Sequence, residues 1–276
     1  MSLSSRIPIS GTKSSIPLLG FGVYKLRQAH CLNACLVALK AGYRHIDCAQ
    51  LYKNEALVRE AVGQSNVNRS DIFITSKFNP GTAADPYRSI LGSVENLDGP
   101  NGYVDLFLLH VPGRSRAKRH AAWAALERLY DEGVVKAIGV SNFHIDHLEE
   151  MREYARQWPP HINQIEVHPW CQQRKLVTYC QENSIIIEAY SPLAVGTRLE
   201  DPTLEDLAHK HSKPAAQILL RWSLQKGFIP LPKSQTPSRI TENSHVFDFE
   251  LTADDMANLD ALDEGIKGAL FPFNAS

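Results

Sequence analysis

The sequence predicts an α/β fold, a (β/α)8 TIM barrel, and three observations support this prediction. Short strand patterns alternate with helix patterns along the whole 276-residue chain. The strand patterns are apolar on both faces and rich in Ile, Val, Leu and Phe, as buried parallel strands should be. Eight such units in a chain of this length favour a closed barrel over an open sheet. No linker or low-complexity stretch interrupts them, so residues 1–276 are predicted to be a single domain.

The predicted barrel strands begin after a short N-terminal segment. Residues 6–18 alternate weakly around the turn Ser10-Gly11-Thr12, which is typical of a hairpin. Each barrel strand is a short apolar run bounded by polar or turn residues. The strands are predicted at Leu19–Tyr24, His45–Asp47, Ile72–Lys77, Val104–His110, Val135–Val140, Ile162–Val167, Ile185–Tyr190 and Phe228–Leu231.

The predicted helices lie between these strands and often end at a glycine, as at Gly42 and Gly227. Extra helical sequence follows the barrel at Asp248–Leu262, where Thr252 and Asp255 have the spacing of a capping box. The barrel helices are predicted at Gln28–Ala41, Asn54–Gly63, Ala121–Asp131, Ile145–Ala155, Gln173–Asn183, Leu204–His211 and Ala215–Gln225, with two more beginning near Pro86 and Pro237.

The composition excludes several classes of partner. The 29 basic and 30 acidic residues give a formal charge of -1, which does not favour nucleic acid or an anionic membrane surface. No apolar run reaches the roughly 18 residues that a transmembrane helix needs. The N-terminus lacks the apolar core of a signal peptide. Five cysteines without a C-x-x-C pair are typical of reduced thiols, so a cytoplasmic protein is expected.

Four ionisable residues at strand ends form the candidate catalytic group. Asp47, Lys77 and His110 each end a predicted strand, and Tyr52 follows the first of them. Barrel enzymes carry their active sites at the carboxyl ends of the strands. Singly, these residues have ordinary structural explanations: a rim ion pair, a loop tyrosine and a core histidine. Their combination favours a catalytic site, since a lysine ending an apolar strand needs a partner or a task.

Other polar groups mark the same end of the predicted barrel, and no metal is expected there. His144 and His147 lack a carboxylate or further histidine at ligand spacing, so they are predicted to lie on a solvated helix face. The strand ends that carry further polar residues are Ser141-Asn142, Gln164 to Glu166, Tyr190-Ser191 and Lys233-Ser234.

Motifs along nearly the whole chain resemble those of the aldo-keto reductases. They arrive in order and at the expected spacing, which makes the resemblance highly specific. It implies a (β/α)8 barrel that binds NADPH and reduces carbonyl groups without a metal. The motifs are Gly20-Phe-Gly22, Gly42-Tyr-Arg-His-Ile-Asp47, Tyr52-Lys-Asn-Glu55, Thr75-Ser-Lys77, Asp105-Leu-Phe-Leu-Leu-His110, Gly139-Val-Ser-Asn-Phe143, Asn163-Gln-Ile-Glu166, Tyr190-Ser-Pro-Leu193, Pro230-Leu-Pro-Lys-Ser234 and Arg239-Ile-Thr-Glu-Asn243.

The resemblance assigns a role to each member of the catalytic group. Tyr52 would donate a proton to the carbonyl oxygen, and His110 would orient the carbonyl by a hydrogen bond. A free phenol titrates near ~10. The charge of Lys77 would lower the pKa of Tyr52, while Asp47 would hold Lys77 in place.

The resemblance also implies a cofactor site and a substrate pocket. Ser141, Asn142 and Gln164 would hold the nicotinamide amide, and Tyr190 would stack on its ring. Leu193 would lie near the pyrophosphate. The 2′-phosphate would contact Lys233, Ser234 and Arg239, the adenine side would carry Glu242 and Asn243, and Gly22, Val23, Asp47 and Ser191 would complete the cofactor site. The substrate pocket would be lined by Tyr24, Tyr52, Phe78, His110 and Val111.

Some positions depart from the family's commonest pattern. Phe78 and Val111 lie where relatives often have a nearby tryptophan, which predicts a wider pocket. Val23 and Cys48 replace frequent threonines. The tail after Leu262 and the connection from Ser191 to Leu204 are short, which predicts an open site.

These observations predict an NADPH-dependent reductase of small-molecule aldehydes or ketones, acting as a monomeric barrel. A second hypothesis is a cofactor-binding barrel that serves as a sensor or subunit with slow chemistry. Both would bind NADPH, so turnover distinguishes them. A metal-dependent barrel hydrolase fits poorly, because no ligand set occurs in the sequence.

Overall fold

The computed structural model describes residues 1–271, and these form the predicted barrel. Eight parallel strands pair in chain order, each with the next. The first and last strands meet through hydrogen bonds from Gly20 N to Pro230 O (3.1 Å) and from Gly22 N to Pro232 O (3.0 Å). The barrel strands are β3 (Phe21–Gly22), β4 (His45–Asp47), β5 (Phe73–Phe78), β6 (Leu106–Leu109), β7 (Ile138–Ser141), β8 (Ile162–Glu166), β9 (Ile186–Tyr190) and β10 (Ile229–Leu231).

The predicted N-terminal hairpin is confirmed. Strands β1 (Arg6–Pro8) and β2 (Ser15–Pro17) pair antiparallel. Ile9 and Ile16 are buried with Phe73, Leu106 and other residues of the barrel interior in one apolar cluster. The hairpin therefore packs against the amino ends of the strands, and the carboxyl ends remain available for a site.

Helices surround the barrel and bury a second, larger apolar cluster between themselves and the strands. None of the helices in residues 1–271 is long and apolar enough to cross a membrane. The helices are α1 (Gln28–Lys40), α2 (Glu55–Gln64), α3 (Pro86–Asp98), α4 (Arg116–Asp131), α5 (Ile145–Met151), α6 (Arg174–Glu182), α7 (Pro202–His211), α8 (Ala215–Gln225), α9 (Pro237–Glu242) and α10 (Ala253–Asp260).

Several element ends differ from the prediction for identifiable reasons. Helix α4 begins five residues earlier than predicted, because the Ser115 side chain accepts a hydrogen bond from Lys118 N and caps the helix. The first turn of α4 is charged and lacks apolar periodicity, so the sequence pattern did not indicate it. Strand β6 is shorter than predicted, since Val104 forms only an isolated bridge with Val135. The predicted capping box at Thr252 and Asp255 is confirmed, although it begins a helix of only eight residues.

Candidate active site

The loop that carries Tyr52 is held by a buried asparagine. After β4 the chain makes one 3-10 turn over Gln50–Tyr52, and Lys53 then takes a left-handed conformation with φ 56°. The Asn54 side chain donates to Val23 O (3.0 Å) and Leu26 O (2.9 Å) and accepts from Cys48 Sγ (3.1 Å). These contacts fix the position of Tyr52 above the end of β4.

Asp47 and Lys77 form a buried ion pair inside the barrel. Lys77 Nζ lies 2.6 Å and 2.8 Å from the two carboxylate oxygens of Asp47 and also donates to Cys48 O at 2.8 Å. Lys77 is fully buried and Asp47 is 5% exposed. Three acceptors satisfy the three ammonium protons, which is what burial of a lysine requires. The predicted pairing of these two residues is therefore present.

Tyr52 stands beside this pair, but its pKa does not move in the predicted direction. Lys77 Nζ lies 5.3 Å from the centre of the Tyr52 ring. Burial first, and then the negative charge of Asp47, raises the pKa of Tyr52 well above its usual value. The prediction that this pKa is lowered is wrong for this structure, because burial and the negative charge of Asp47 outweigh the attraction of the Lys77 ammonium group. Tyr52 is therefore a protonated phenol throughout the neutral range.

His110 faces Tyr52 as a neutral imidazole. The two ring centres are 5.7 Å apart with nearly perpendicular planes. Burial, assisted by the charge of Lys77, lowers the pKa of His110 to about 3. Two hydrogen bonds hold the His110 backbone: its N–H donates to Phe78 O, and its carbonyl oxygen accepts from Asn142 Nδ2 at 2.9 Å. A neutral imidazole keeps one N–H with which it can donate to a carbonyl oxygen.

The residues predicted to hold the nicotinamide lie together at the ends of β7 and β9 and in the middle of β8. Asn142 is in the left-handed region at φ 60° and accepts a hydrogen bond from the Tyr190 hydroxyl at 2.8 Å. Ser141 Oγ donates to Gln164 O at 2.8 Å. Gln164 Nε2 donates to Asp47 Oδ1 at 2.8 Å. The predicted nicotinamide residues and the catalytic pair thus form one hydrogen-bonded group.

The predicted phosphate residues follow β10 and leave their cationic groups accessible. Lys233 and Arg239 are exposed, and neither forms an ion pair within residues 1–271. Partial burial and the nearby charge of Lys25 lower the pKa of Lys233. Lys25 is thus a further cation that the sequence analysis did not assign. Ser234 Oγ accepts from Thr236 N at 3.1 Å.

The remaining predicted cofactor residues vary in exposure. The Val23 side chain is fully buried in the outer cluster, and its N–H donates to Asp47 O at 3.0 Å. Asn243 is 4% exposed, whereas Glu242 is exposed. Ser191 has φ 50°, and Leu193 packs partly buried against the outer cluster. Any contact of Val23 with a cofactor would therefore involve its backbone.

The predicted substrate pocket is only partly assembled. Tyr24 and Tyr52 have ring centres 5.1 Å apart, and Val111 follows His110 half-buried. Strand alternation points Phe78 away from Lys77, and its side chain is fully buried in the outer cluster. This placement does not support Phe78 as a pocket residue.

The C-terminal tail covers part of the mouth, so the prediction of an open site is wrong there. Buried Glu166 accepts hydrogen bonds from Leu270 N (2.8 Å) and Phe271 N (3.2 Å). The Phe271 ring contacts Tyr190 and Tyr24, with centres 5.6 Å and 6.5 Å apart. The tail is short, yet the buried carboxylate of Glu166 holds it against the mouth of the barrel.

Two further polar residues beneath the catalytic pair were missed by the sequence analysis. His45 and Glu188 are fully buried in the barrel interior, and His45 Nε2 lies 2.9 Å from Thr75 Oγ1. A carboxylate in the apolar run Ile185-Ile-Ile-Glu188-Ala-Tyr190 was the signal that could have identified Glu188, since a lone buried charge requires a partner. Within residues 1–271 no group of three or more His, Cys, Asp or Glu residues could hold a metal ion.

Comparisons with known proteins identify the family of this chain. The model of the aldo/keto reductase family matches residues 19–264. The chain is 45% identical over 266 residues to the uncharacterized oxidoreductase YtbE of Bacillus subtilis strain 168, covering 94% of this chain and 93% of that protein. It is 41% identical to the glyoxal reductase of the same organism, covering 90% of each chain. A crystal structure of an aldo/keto reductase from Brucella melitensis superposes with a TM-score of 0.89 at 41% identity, covering 95% of this chain and 99% of that one. The chain belongs to the aldo-keto reductase family.

Proposed function

We propose that this protein is an NADPH-dependent reductase that converts aldehydes or ketones to alcohols. The observation that carries the proposal is the meeting of a protonated phenol, a neutral imidazole and a buried Asp–Lys pair at one mouth of the barrel. A proton donor, a hydrogen-bond donor and a nearby positive charge in this arrangement can transfer a proton to a carbonyl oxygen and stabilise the negative charge that develops on it. We further propose that residues 1–276 form a single domain that acts as a cytosolic monomer.

In the proposed mechanism, Tyr52 donates its proton to the carbonyl oxygen. The chemistry expected of the cofactor, when bound, is donation of a hydride to the carbonyl carbon. Negative charge then develops on the oxygen, between the Tyr52 hydroxyl and the His110 imidazole. His110 orients the carbonyl through its N–H, because its low pKa keeps it neutral. Lys77 supplies a nearby positive charge, which favours the phenolate left after proton transfer.

The side chains present suit a nicotinamide dinucleotide. Ser141, Asn142 and Gln164 carry amide and hydroxyl groups on the adjoining strands β7 and β8, near Tyr190. The exposed cations after β10 suit a phosphate, and the charge of Lys25 adds to that of Lys233. Aldo-keto reductases generally use NAD(P)H. We propose that Lys233, Ser234 and Arg239 favour NADPH by contacting its 2′-phosphate.

Arg239→Ala is expected to weaken NADPH binding about tenfold or more, because hydrogen bonds between charged groups are among the stronger ones. NADH binding should change little, since NADH lacks the 2′-phosphate. Fluorescence titration of both cofactors measures the two effects, and added salt should reduce the preference for NADPH. Arg88→Ala, which removes an exposed arginine on α3, serves as the control. Equal weakening of both cofactors would show that Arg239 contacts another part of the molecule.

The substrate class is tested by turnover. The names glyoxal reductase and methylglyoxal reductase among the similar proteins favour small dicarbonyls, so both compounds belong in the panel. Aldehydes, ketones, keto esters and sugars complete it, and NADPH absorbance follows the reaction. Turnover of one of these classes supports the proposal. Cofactor binding without turnover of any of them would favour the sensor or subunit hypothesis.

Val111→Trp is expected to narrow the range of accepted ketones while sparing small aldehydes. Val111 is half-buried directly after His110, and a larger ring there would reduce the space beside the carbonyl site. The measurement is kcat/KM over a series of ketones of increasing size. An equal loss for every member of the series would show that Val111 does not line the pocket.

A further inference from the structure

Glu188 occupies an unusual position for a carboxyl group. It lies in the middle of β9 and is fully buried inside the barrel. Its Oε1 is 3.5 Å from His45 Nε2 and has no closer hydrogen-bond partner within residues 1–271. The mechanism proposed above does not use this acid. A buried polar group of this kind requires an explanation.

The Gln164 side chain connects Glu188 to the catalytic pair. Gln164 Nε2 donates one N–H to Glu188 Oε2 and the other to Asp47 Oδ1, each at 2.8 Å. The two carboxyl groups are acceptors on either side of one amide nitrogen, so they fix the orientation of the amide. The same contacts direct the Gln164 carbonyl oxygen away from both acids.

The charged groups around Glu188 determine its protonation. Burial and the negative charge of Asp47 raise the pKa of Glu188 to about 8, while Gln164 and Lys77 act in the opposite direction. His45 cannot compensate a negative charge, because burial lowers its own pKa to about 3. Strand β10 on the other side, Ile229–Leu231, carries no ionisable side chain. Glu188 is therefore predominantly protonated at pH 7.

We propose that Glu188 is a positioning residue for the catalytic centre, which acts through the Gln164 amide on Asp47 and thereby on Lys77. This inference rests on the proposed reductase function and extends it. While Glu188 is neutral, Gln164 can bridge both acids, and Lys77 faces a single buried negative charge. When Glu188 ionises, the added charge repels Asp47, attracts the Gln164 amide and opposes the charge that develops on the carbonyl oxygen.

Glu188→Gln separates this role from a purely structural one. The substituted side chain still accepts a hydrogen bond from Gln164 but cannot ionise. In the wild type, kcat should fall about tenfold between pH 7 and pH 9, following the fraction of neutral acid. In Glu188→Gln this alkaline decrease should be absent, while kcat at pH 6 changes little. Tyr52 does not cause such a decrease, because its own pKa lies far higher.

Glu188→Leu tests the hydrogen bond itself. It removes the acceptor and leaves one Gln164 N–H without a partner, so kcat should fall about tenfold at pH 6 as well.

Glu127→Gln makes the same acid-to-amide change as Glu188→Gln but on α4, where Glu127 accepts from Trp123 Nε1 and Gln157 N. This control should leave the pH profile of kcat unchanged. An unchanged alkaline decrease in Glu188→Gln, or wild-type kcat at pH 6 in Glu188→Leu, would overturn the proposal.

Two measurements do not depend on turnover. The side-chain amide resonance of Gln164, assigned with Gln164→Leu, should shift with a midpoint near pH 8 in the wild type and not in Glu188→Gln. In the folded wild type Glu188 keeps a proton that the unfolded chain releases at lower pH. Glu188→Gln should therefore gain stability relative to the wild type as the pH rises from 5 to about 8, and no further above it. A Gln164 resonance without this shift would refute the proposal even if no substrate were turned over, while a panel without turnover would count only against the reductase function.

Discussion

Tyr52→Phe is expected to lower kcat for carbonyl reduction by about 10²–10⁴-fold, which is the usual contribution of a general acid. The substitution removes one hydroxyl and keeps the ring, so the contacts of Tyr52 with Tyr24 and His110 should persist. Because its pKa is raised, wild-type Tyr52 holds its proton throughout the neutral range and can supply it to the carbonyl oxygen. The comparison requires kcat at saturating NADPH for both proteins, together with the Kd of NADPH.

Tyr130→Phe provides a matched control for this experiment. It removes a tyrosine hydroxyl that lies 3.5 Å from Gly11 O, next to the N-terminal hairpin and far from the catalytic mouth. Both variants should bind NADPH with wild-type affinity, and only Tyr52→Phe should lose turnover. If Tyr52→Phe retained full activity, another group would have to be the proton donor.

Most of the barrel could be predicted because its signals are local. Apolar runs on both faces identify each strand, and the glycine after α1 marks a helix end without knowledge of distant contacts. Errors arose where local periodicity was weak. The charged first turn of α4 has no apolar pattern. The isolated bridge between Val104 and Val135 joins two segments about thirty residues apart, and a local pattern does not show such a contact.

The catalytic residues of the candidate site could be predicted because they lie at the carboxyl ends of the strands. Asp47, Lys77 and His110 meet because parallel strands place their carboxyl ends at one mouth. The direction of the Tyr52 pKa shift was not predictable, since it depends on the burial of the phenol and on its distance from the Asp47 carboxylate. The anchoring of the tail by Glu166 joins residues more than a hundred positions apart, and such contacts leave no periodic signal.

Lys77→Met should abolish most turnover and also destabilise the fold. Methionine keeps the bulk of the side chain but removes the only positive charge within residues 1–271 that offsets Asp47 at contact distance. An uncompensated buried carboxylate costs about 3–5 kcal/mol of unfolding free energy when its partner is removed. Asp47 would retain its hydrogen bond from Gln164 but lose both contacts with the ammonium group. Loss of the positive charge beside the developing anion should lower kcat by about 10²-fold or more.

The two effects of Lys77→Met separate when turnover is expressed per folded molecule. Arg69→Met is the matched control, because Arg69 pairs with Asp98 at 2.9 Å and Asp105 at 3.0 Å near the amino ends of the strands. Arg69→Met should lower the midpoint of denaturant unfolding. The Arg69→Met molecules that remain folded should reduce carbonyls at the wild-type rate. Lys77→Met should lose activity even under conditions in which circular dichroism shows it fully folded. If folded Lys77→Met instead kept wild-type turnover, the Asp47–Lys77 pair would contribute only to the stability of the barrel. The positive charge that favours the Tyr52 phenolate would then have to come from another group.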